Sequence, residues 1–149
     1  MLLTGTFNRA FDEKLRIAIP KPLRDALPCP PGGGLYVTPG TDHSLTLYTE
    51  VAFEALGQRL AHSPPTRQDV RAFSRLFYSQ ARYMELDHQG RIRIPPELAA
   101  LAKLEKEVVL VGVQDHLEIW AIDNWQNYVA DKQAHFDEIA ESALSGEMA

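Results

Sequence analysis

The sequence predicts a β-rich α+β protein built from two tandem copies of one small unit with flanking helices. Two observations support this fold class. The segment 11–20 aligns with the segment 86–95 at a constant offset of 75 residues, and isoleucine alternates with other residues in both. Alternation with a period of two is typical of a half-buried β-strand, and self-similarity at a fixed spacing indicates a repeated structural unit.

Each copy follows the same order of elements. A strand leads into a tight turn at residues 12–15 or 87–90, and a second, alternating strand follows. A proline ends that strand, a short helix comes next at about 21–27 or 96–102, and two more strands complete the unit. The alternating strand buries four isoleucines, namely Ile17, Ile19, Ile92 and Ile94. Three arginines are therefore expected on the opposite face, namely Arg16, Arg91 and Arg93.

Helices separate and follow the two copies. We expect a first repeat over 1–48, a helical connector over 49–80, a second repeat over 81–122, and a C-terminal helix with an acidic, frayed tail over 123–149. Thr49, Thr66 (with Asp69 three residues on) and Asp123 are the predicted helix-capping or helix-starting residues. The first connector helix is expected to bury Phe53, Leu56 and Leu60. The second carries one apolar stripe, which consists of Val70, Phe73, Leu76 and Phe77.

The charge of the chain is unevenly distributed. The net charge is −5, which argues against binding to nucleic acid through bulk charge. Residues 131–149 carry −4, however, and residues 1–24 carry +3, so local basic patches exist. The absence of a long apolar run or a signal-like N-terminus predicts a cytoplasmic protein with no membrane partner. The single cysteine, Cys29, is interpreted as incidental.

The most specific motif is Asp-x-x-x-Arg, which occurs once in each copy, at Asp12 with Arg16 and at Asp87 with Arg91. The aspartate can accept turn N–H groups, and the arginine starts the next strand within reach of a charge pair. One interpretation is a staple that fixes the turn, and geometry alone favours it. The other is a turn that aims a guanidinium at phosphates or a guanine edge.

Other polar residues suggest weaker hypotheses. Four arginines assigned to the connector can follow a phosphate backbone, although a solvated face or an intersubunit contact explains them more simply; they are Arg67, Arg71, Arg75 and Arg82. Three Asp-His pairs begin at Asp42, Asp87 and Asp115, but none has the spacing of a recognised metal or catalytic site. Gly32-Gly33-Gly34 precedes a strand and is no phosphate-binding loop. We therefore expect neither enzymatic activity nor a cofactor, metal or small-molecule substrate.

These motifs resemble those of the MraZ family, bacterial regulators made of two SpoVT/AbrB-type swapped-hairpin units. The resemblance rests on Gly5-Thr6-Phe7, on the two Asp-x-x-x-Arg-Ile-x-Ile-Pro segments and on residues 103–112 and 117–120, and it covers residues 1 to about 130. It implies a pseudo-twofold fold, a ring-forming homo-oligomer and binding to short direct repeats in double-stranded DNA. It also implies a nucleoid-associated repressor of the division and cell-wall gene cluster.

The family motif carries over residue by residue. It implies that Asp12, Arg16, Asp87 and Arg91 are DNA-binding residues, and Lys14 joins them because the neighbourhood of the first motif is basic. Leu15 stands where the motif commonly has glycine, so the first turn is expected to differ in backbone geometry or to expose an apolar side chain. The alternatives are an antitoxin-like or scaffold protein that binds a protein partner through the acidic tail, and a metal-dependent hydrolase that uses the Asp-His pairs.

Overall fold

The computed structural model describes residues 1–27 and 33–145. Cys29, most of the proline- and glycine-rich loop and Glu147 lie outside this described part. The first half of the chain contains four strands and three helices, in the order β1 (Thr6–Ala10), β2 (Arg16–Ala18), α1 (Lys21–Ala26), β3 (Gly34–Pro39), β4 (Leu45–Tyr48), α2 (Glu50–Ala61) and α3 (Gln68–Gln80). The second half repeats this pattern as β5 (Arg82–Glu85), β6 (Arg91–Arg93), α4 (Pro96–Leu101), β7 (Glu107–Val113), β8 (His116–Ala121), α5 (Ile122–Gln133) and α6 (Phe136–Ser145).

The strands of the two copies form common sheets. Six of them make one antiparallel sheet in the order β1-β7-β8-β4-β3-β5, and β2 pairs with β6 in a second sheet of two strands. Exchanging the two copies reverses the six-strand order and maps the β2–β6 pair onto itself, so the fold has pseudo-twofold symmetry. The two strands beside each Asp-x-x-x-Arg turn thus form their ladders with the other copy, because β1 joins β7 and β5 joins β3.

A smaller cluster of Val109, Val111 and Trp120 packs against α5. The main core lies between the two sheets and the short helices. The four predicted isoleucines are all buried in it, together with leucines and valines from both copies. The core is continuous across the repeat because neither copy has enough strands to cover its own apolar face. None of the described helices has the length and apolar character needed to cross a membrane.

Aromatic clusters hold the longer helices against the sheet. Phe53 of α2 stacks on Tyr36 of β3 with ring centroids 4.3 Å apart, and Phe77 of α3 lies 5.9 Å from Phe53. Trp125 of α5 packs edge-on against Trp120 of β8 at 5.2 Å. Burial on the connector is weaker than the sequence predicts. Phe53, Leu56 and Leu60 are only partly covered, and Phe73 and Leu76 of α3 are exposed.

Helix starts show which capping predictions are correct. Thr49 caps α2, since its hydroxyl accepts a hydrogen bond from Ala52 N at 3.1 Å. The prediction for Thr66 is wrong, because Arg67 precedes α3 and the structure has no side-chain cap there. Asp123 lies inside the first turn of α5, which Ala121 precedes, so it is not the cap either. The tail also differs from the expected frayed segment, because α6 continues as a helix to Ser145.

Candidate nucleic-acid interface

The first Asp-x-x-x-Arg turn is held together by its aspartate. Asp12 Oδ1 accepts hydrogen bonds from the backbone N–H groups of Lys14 and Arg16, at 3.0 and 2.8 Å. Its Oδ2 accepts one from Arg16 Nε at 2.8 Å. The backbone closes the turn with Leu15 N donating to Asp12 O at 3.0 Å. One carboxylate therefore fixes both the turn and the direction of the arginine.

The second turn has the same arrangement. Asp87 Oδ1 accepts from the N–H groups of Gln89 and Arg91, both at 2.9 Å, and its Oδ2 accepts from Arg91 Nε at 2.8 Å. Gly90 N closes this turn by donating to Asp87 O at 3.0 Å. The repeat in the sequence therefore produces the same local structure twice, down to the choice of oxygen and nitrogen atoms.

Electrostatics keeps both aspartates ionised. The backbone hydrogen bond from Arg16 is the largest influence on the pKa of Asp12 and lowers it. Desolvation opposes this effect, but the hydrogen bond and charge of the Arg16 side chain add to the lowering, so the net pKa lies below its ordinary value. The pKa of Asp87 is lowered in the same way by the backbone and side chain of Arg91. Both arginines bond to aspartate through Nε, and no described residue accepts a hydrogen bond from their Nη atoms. The terminal nitrogens can thus bind an external acceptor.

Leu15 does not change the turn as the sequence suggests. Its φ is 62°, and Gly90 at the equivalent position has a φ of 72°. Each residue also accepts a hydrogen bond from the alternating strand of the other copy, with Ile94 N donating to Leu15 O at 2.8 Å and Ile19 N to Gly90 O at 2.9 Å. The Leu15 side chain is partly buried against the core. The expectation of a different backbone or an exposed side chain is therefore wrong.

The two turns belong to one surface, the β2–β6 ribbon. Arg16 pairs with Arg93, and Ala18 pairs with Arg91, so all four side chains lie on the outer face of the ribbon. The inner face buries Ile17 and Ile92. The sequence correctly places the arginines opposite the isoleucines, but it does not reveal that they share a face across the two copies. Arg93 was missing from the predicted site, although the alternation itself placed it beside the others.

Comparison with known proteins identifies the family. The family model described as "MraZ protein, putative antitoxin-like" matches residues 2–76 and again residues 77–146. The chain belongs to the MraZ family. It is 40% identical over 139 residues to the "Transcriptional regulator MraZ" of Alkaliphilus metalliredigens, covering 93% of this chain and 94% of that relative. The protein of the same name from Lactiplantibacillus plantarum is 41% identical over 140 residues, covering 94% and 96%.

The remaining basic residues near the ribbon of this MraZ-family chain have different surroundings. Lys14 is exposed in the first turn. Lys21 forms an ion pair with Asp25 at 2.8 Å. Arg24 donates from Nε to Ile19 O at 3.0 Å, and its side chain lies beside Gly90 of the second turn. A basic residue of the first copy therefore flanks the turn of the second.

The connector arginines do not form the continuous row that their spacing suggests. Arg67 precedes α3 and pairs with Asp69, with Nη2 and Oδ2 2.6 Å apart. Arg71 donates to backbone carbonyls at the start of the helix. Arg82 lies in β5 and not on the helix, which corrects the sequence assignment. The side chain of Arg75 is exposed and makes no hydrogen bond or ion pair with any residue that the structure describes.

The Asp-His pairs have separate local roles. Asp87 is engaged by Arg91, as described above. Asp42 and His43 are both exposed and both have positive φ values in the turn before β4. His116 Nδ1 lies 2.8 Å from Asp115 Oδ1, and its Nε2 lies 3.6 Å from an oxygen of Glu118. Over residues 1–27 and 33–145, no three His, Cys, Asp or Glu side chains are grouped so as to hold a metal ion.

Proposed function

We propose that this protein is a sequence-specific DNA-binding transcriptional regulator, and that the outer face of the β2–β6 ribbon contacts the DNA. The observation that carries the proposal is the presence of three arginines, one exposed and two partly exposed, on the outer face of a two-stranded antiparallel ribbon. The major groove of B-DNA admits such a ribbon, and arginine can donate two hydrogen bonds to the O6 and N7 atoms of guanine. Three residues per strand make the ribbon about 10 Å long, which suits the groove.

Each predicted site residue has a distinct proposed role. Arg16 and Arg91 read base edges with their terminal nitrogens, for which residues 1–27 and 33–145 provide no acceptor. Asp12 and Asp87 orient these arginine side chains before DNA binds, so the side chains lose less conformational entropy on binding than free ones would. Lys14, at the apex of the first turn, contacts phosphate. The shared ribbon supports contact by both repeats.

We further propose that the protein works as a homo-oligomer. A ribbon of this size covers few base pairs, and a chain of net charge −5 has little non-specific attraction for DNA. Several ribbons that engage successive direct repeats would multiply weak contacts by avidity. Exposed apolar side chains on α3, including Phe73 and Leu76, are candidates for burial between subunits. Sedimentation at micromolar concentration that shows only a species of one chain's mass would contradict this.

The resemblance to the MraZ family supports a more specific proposal. The protein would repress the division and cell-wall gene cluster and would be located in the cytoplasm, at the nucleoid. Reporter expression from the promoter of that cluster should rise when the gene for this protein is deleted. Unchanged or lower expression would contradict repression without affecting the proposal of DNA binding.

The test compares three arginine variants on the DNA upstream of the protein's own gene at matched salt. Arg16→Ala and Arg91→Ala should each weaken binding by about 5- to 150-fold, the range expected for loss of a base contact. Arg75→Ala is the matched control, since it removes the same charge from an exposed position on α3, and it should change binding less than about 2-fold. A chelator should have no effect, which separates this function from a metal-dependent hydrolase.

Folding and assembly must be checked in the same preparations, by circular dichroism and sedimentation. Normal binding by folded Arg16→Ala and Arg91→Ala proteins would overturn the assignment of the ribbon. A folded wild-type protein that prefers no DNA sequence would overturn the function itself and favour the antitoxin-like alternative.

A further inference from the structure

The outer face of the β2–β6 ribbon has four positions in two facing pairs. Arg16 faces Arg93 across the first pair, and Ala18 faces Arg91 across the second. The pseudo-twofold relation exchanges positions that are 75 residues apart, so Arg16 corresponds to Arg91 and Ala18 corresponds to Arg93. The symmetry-related positions 16 and 91 both carry arginine. The symmetry-related positions 18 and 93 differ, because Ala18 has only a methyl group and Arg93 has a long cationic side chain.

Arg93 differs from the other two arginines in its surroundings. Arg16 and Arg91 are each paired with an aspartate at 2.8 Å. Arg93 is exposed, and it makes no ion pair or side-chain hydrogen bond with any residue in 1–27 or 33–145. It also stands directly opposite Arg16, and like charges in facing positions of two strands are destabilising. Among the described residues the charge of Arg93 therefore has no partner of opposite sign, and a bound polyanion would supply one.

Symmetry determines how a ribbon of this kind can read DNA. A surface with true twofold symmetry binds a duplex equally well in two orientations related by the dyad, and it selects a palindromic sequence. A side chain that is present on one half of the surface only favours one of these orientations. The turns also differ, since Lys14 corresponds to Gln89, but these residues lie at the ends of the ribbon and not at its centre.

We propose that Arg93 is a third DNA-reading residue and that the difference between Ala18 and Arg93 gives the ribbon one preferred orientation on a non-palindromic site. This inference rests on the proposed DNA-binding function. It assigns to Arg93 a specificity-determining role, and it assigns to Ala18 the role of leaving the symmetry-related position empty.

The experiment selects binding sites from a pool of randomised duplex DNA with the full-length protein and three variants. The wild type should enrich a non-palindromic sequence. Arg93→Ala should bind that sequence about 5- to 150-fold more weakly and lose base preference in one half of it. Ala18→Arg should enrich a sequence with more twofold symmetry, because it adds the missing side chain. Thermal unfolding should show that Arg93→Ala is as stable as the wild type or more so.

Arg93→Lys separates base reading from simple attraction to phosphate. Lysine keeps the charge but lacks the planar, two-pronged donor geometry of arginine. We expect this variant to lose preference in the same half of the site while its salt dependence stays like that of the wild type. If Arg93→Ala instead weakened binding equally for all sequences and lowered the salt slope by about 1, Arg93 would be a phosphate contact and the orientation role would be wrong.

The outcomes also distinguish this inference from the proposed function. If the wild type enriches no sequence, the DNA-binding function fails and the inference fails with it. If the wild type enriches a sequence and Arg93→Ala enriches the same one with unchanged affinity, the function stands and the inference is overturned.

Discussion

The turn of the second repeat offers a quantitative test of how its backbone is stabilised. Gly90 has a φ of 72°, and a Cβ atom at this position would lie 2.7 Å from Cδ and 2.9 Å from Nε of Arg24. Replacement of Gly90 by alanine therefore has two costs. The left-handed backbone costs about 1–2 kcal/mol for a residue with a Cβ atom. Displacement of Arg24 breaks its hydrogen bond to Ile19 O, which contributes about 0.5–1.5 kcal/mol.

A smaller effect acts in the opposite direction. Alanine restricts the unfolded chain more than glycine does, which returns about 0.4–1 kcal/mol of stability. We expect Gly90→Ala to lower the free energy of unfolding by about 1–3 kcal/mol. In an Arg24→Ala background the contact is absent, so the same substitution should cost about 1 kcal/mol less, as in a double-mutant cycle between neighbouring residues.

The assay is urea unfolding of the four proteins of this cycle, monitored by circular dichroism. All four are measured at one fixed protein concentration, because the proposed association would make the midpoint depend on concentration. Leu15→Gly is the matched variant in the first turn. It relieves the left-handed strain but removes a partly buried side chain, so we expect a net change within about 1 kcal/mol. The explanation is refuted if Gly90→Ala is neutral or stabilising, or if it costs the same with and without Arg24.

Three further predictions concern pH and charge. The pKa values of Asp12 and Asp87 are lowered by folding, so both carboxylates stabilise the folded state above their unfolded pKa of about 3.9. This stabilisation is lost as the pH falls through the folded pKa values. In acid unfolding, the Asp12→Asn/Asp87→Asn protein should therefore lose less stability than the wild type. The hydrogen bond to Glu118 raises the pKa of His116 above 6.5, and Asp115 acts in the same direction. The stability contributed by the His116–Glu118 interaction is therefore complete below pH 6.5 and declines as the pH rises through the folded pKa. Thermal unfolding at pH 6 and pH 8 should show this decline, and a similar decline in Glu118→Gln would contradict it. Removal of residues 136–149 should leave the melting temperature unchanged, because α6 has no buried side chain. It should tighten non-specific DNA binding, because it deletes four acidic residues and no Lys or Arg. Weaker binding or loss of folding after this truncation would show that the segment has a structural role.

Local features of the fold were predictable because nearby residues determine them. The Asp-x-x-x-Arg turns form through hydrogen bonds between residues two and four positions apart, so the same spacing produced the same geometry in both copies. The cap at Thr49 was confirmed for the same reason. The failures at Thr66 and Asp123 show the limit of such signals. A residue with the right chemistry can cap a helix only where the helix begins, and the surrounding structure shifted both starts by one or two residues.

The sequence by itself determined the repeat, the alternation that buries Ile17 and Ile92, and the outward direction of the arginines. Tertiary structure decided which strands pair. Local sequence signals do not predict the pairing of β1 with β7 or of β2 with β6, because these strands are far apart in the chain. Their pairing depends on the common core that both copies need to bury. That pairing brings Arg16 and Arg93 face to face and makes two separate turns one surface, so the candidate site exists only in the folded chain.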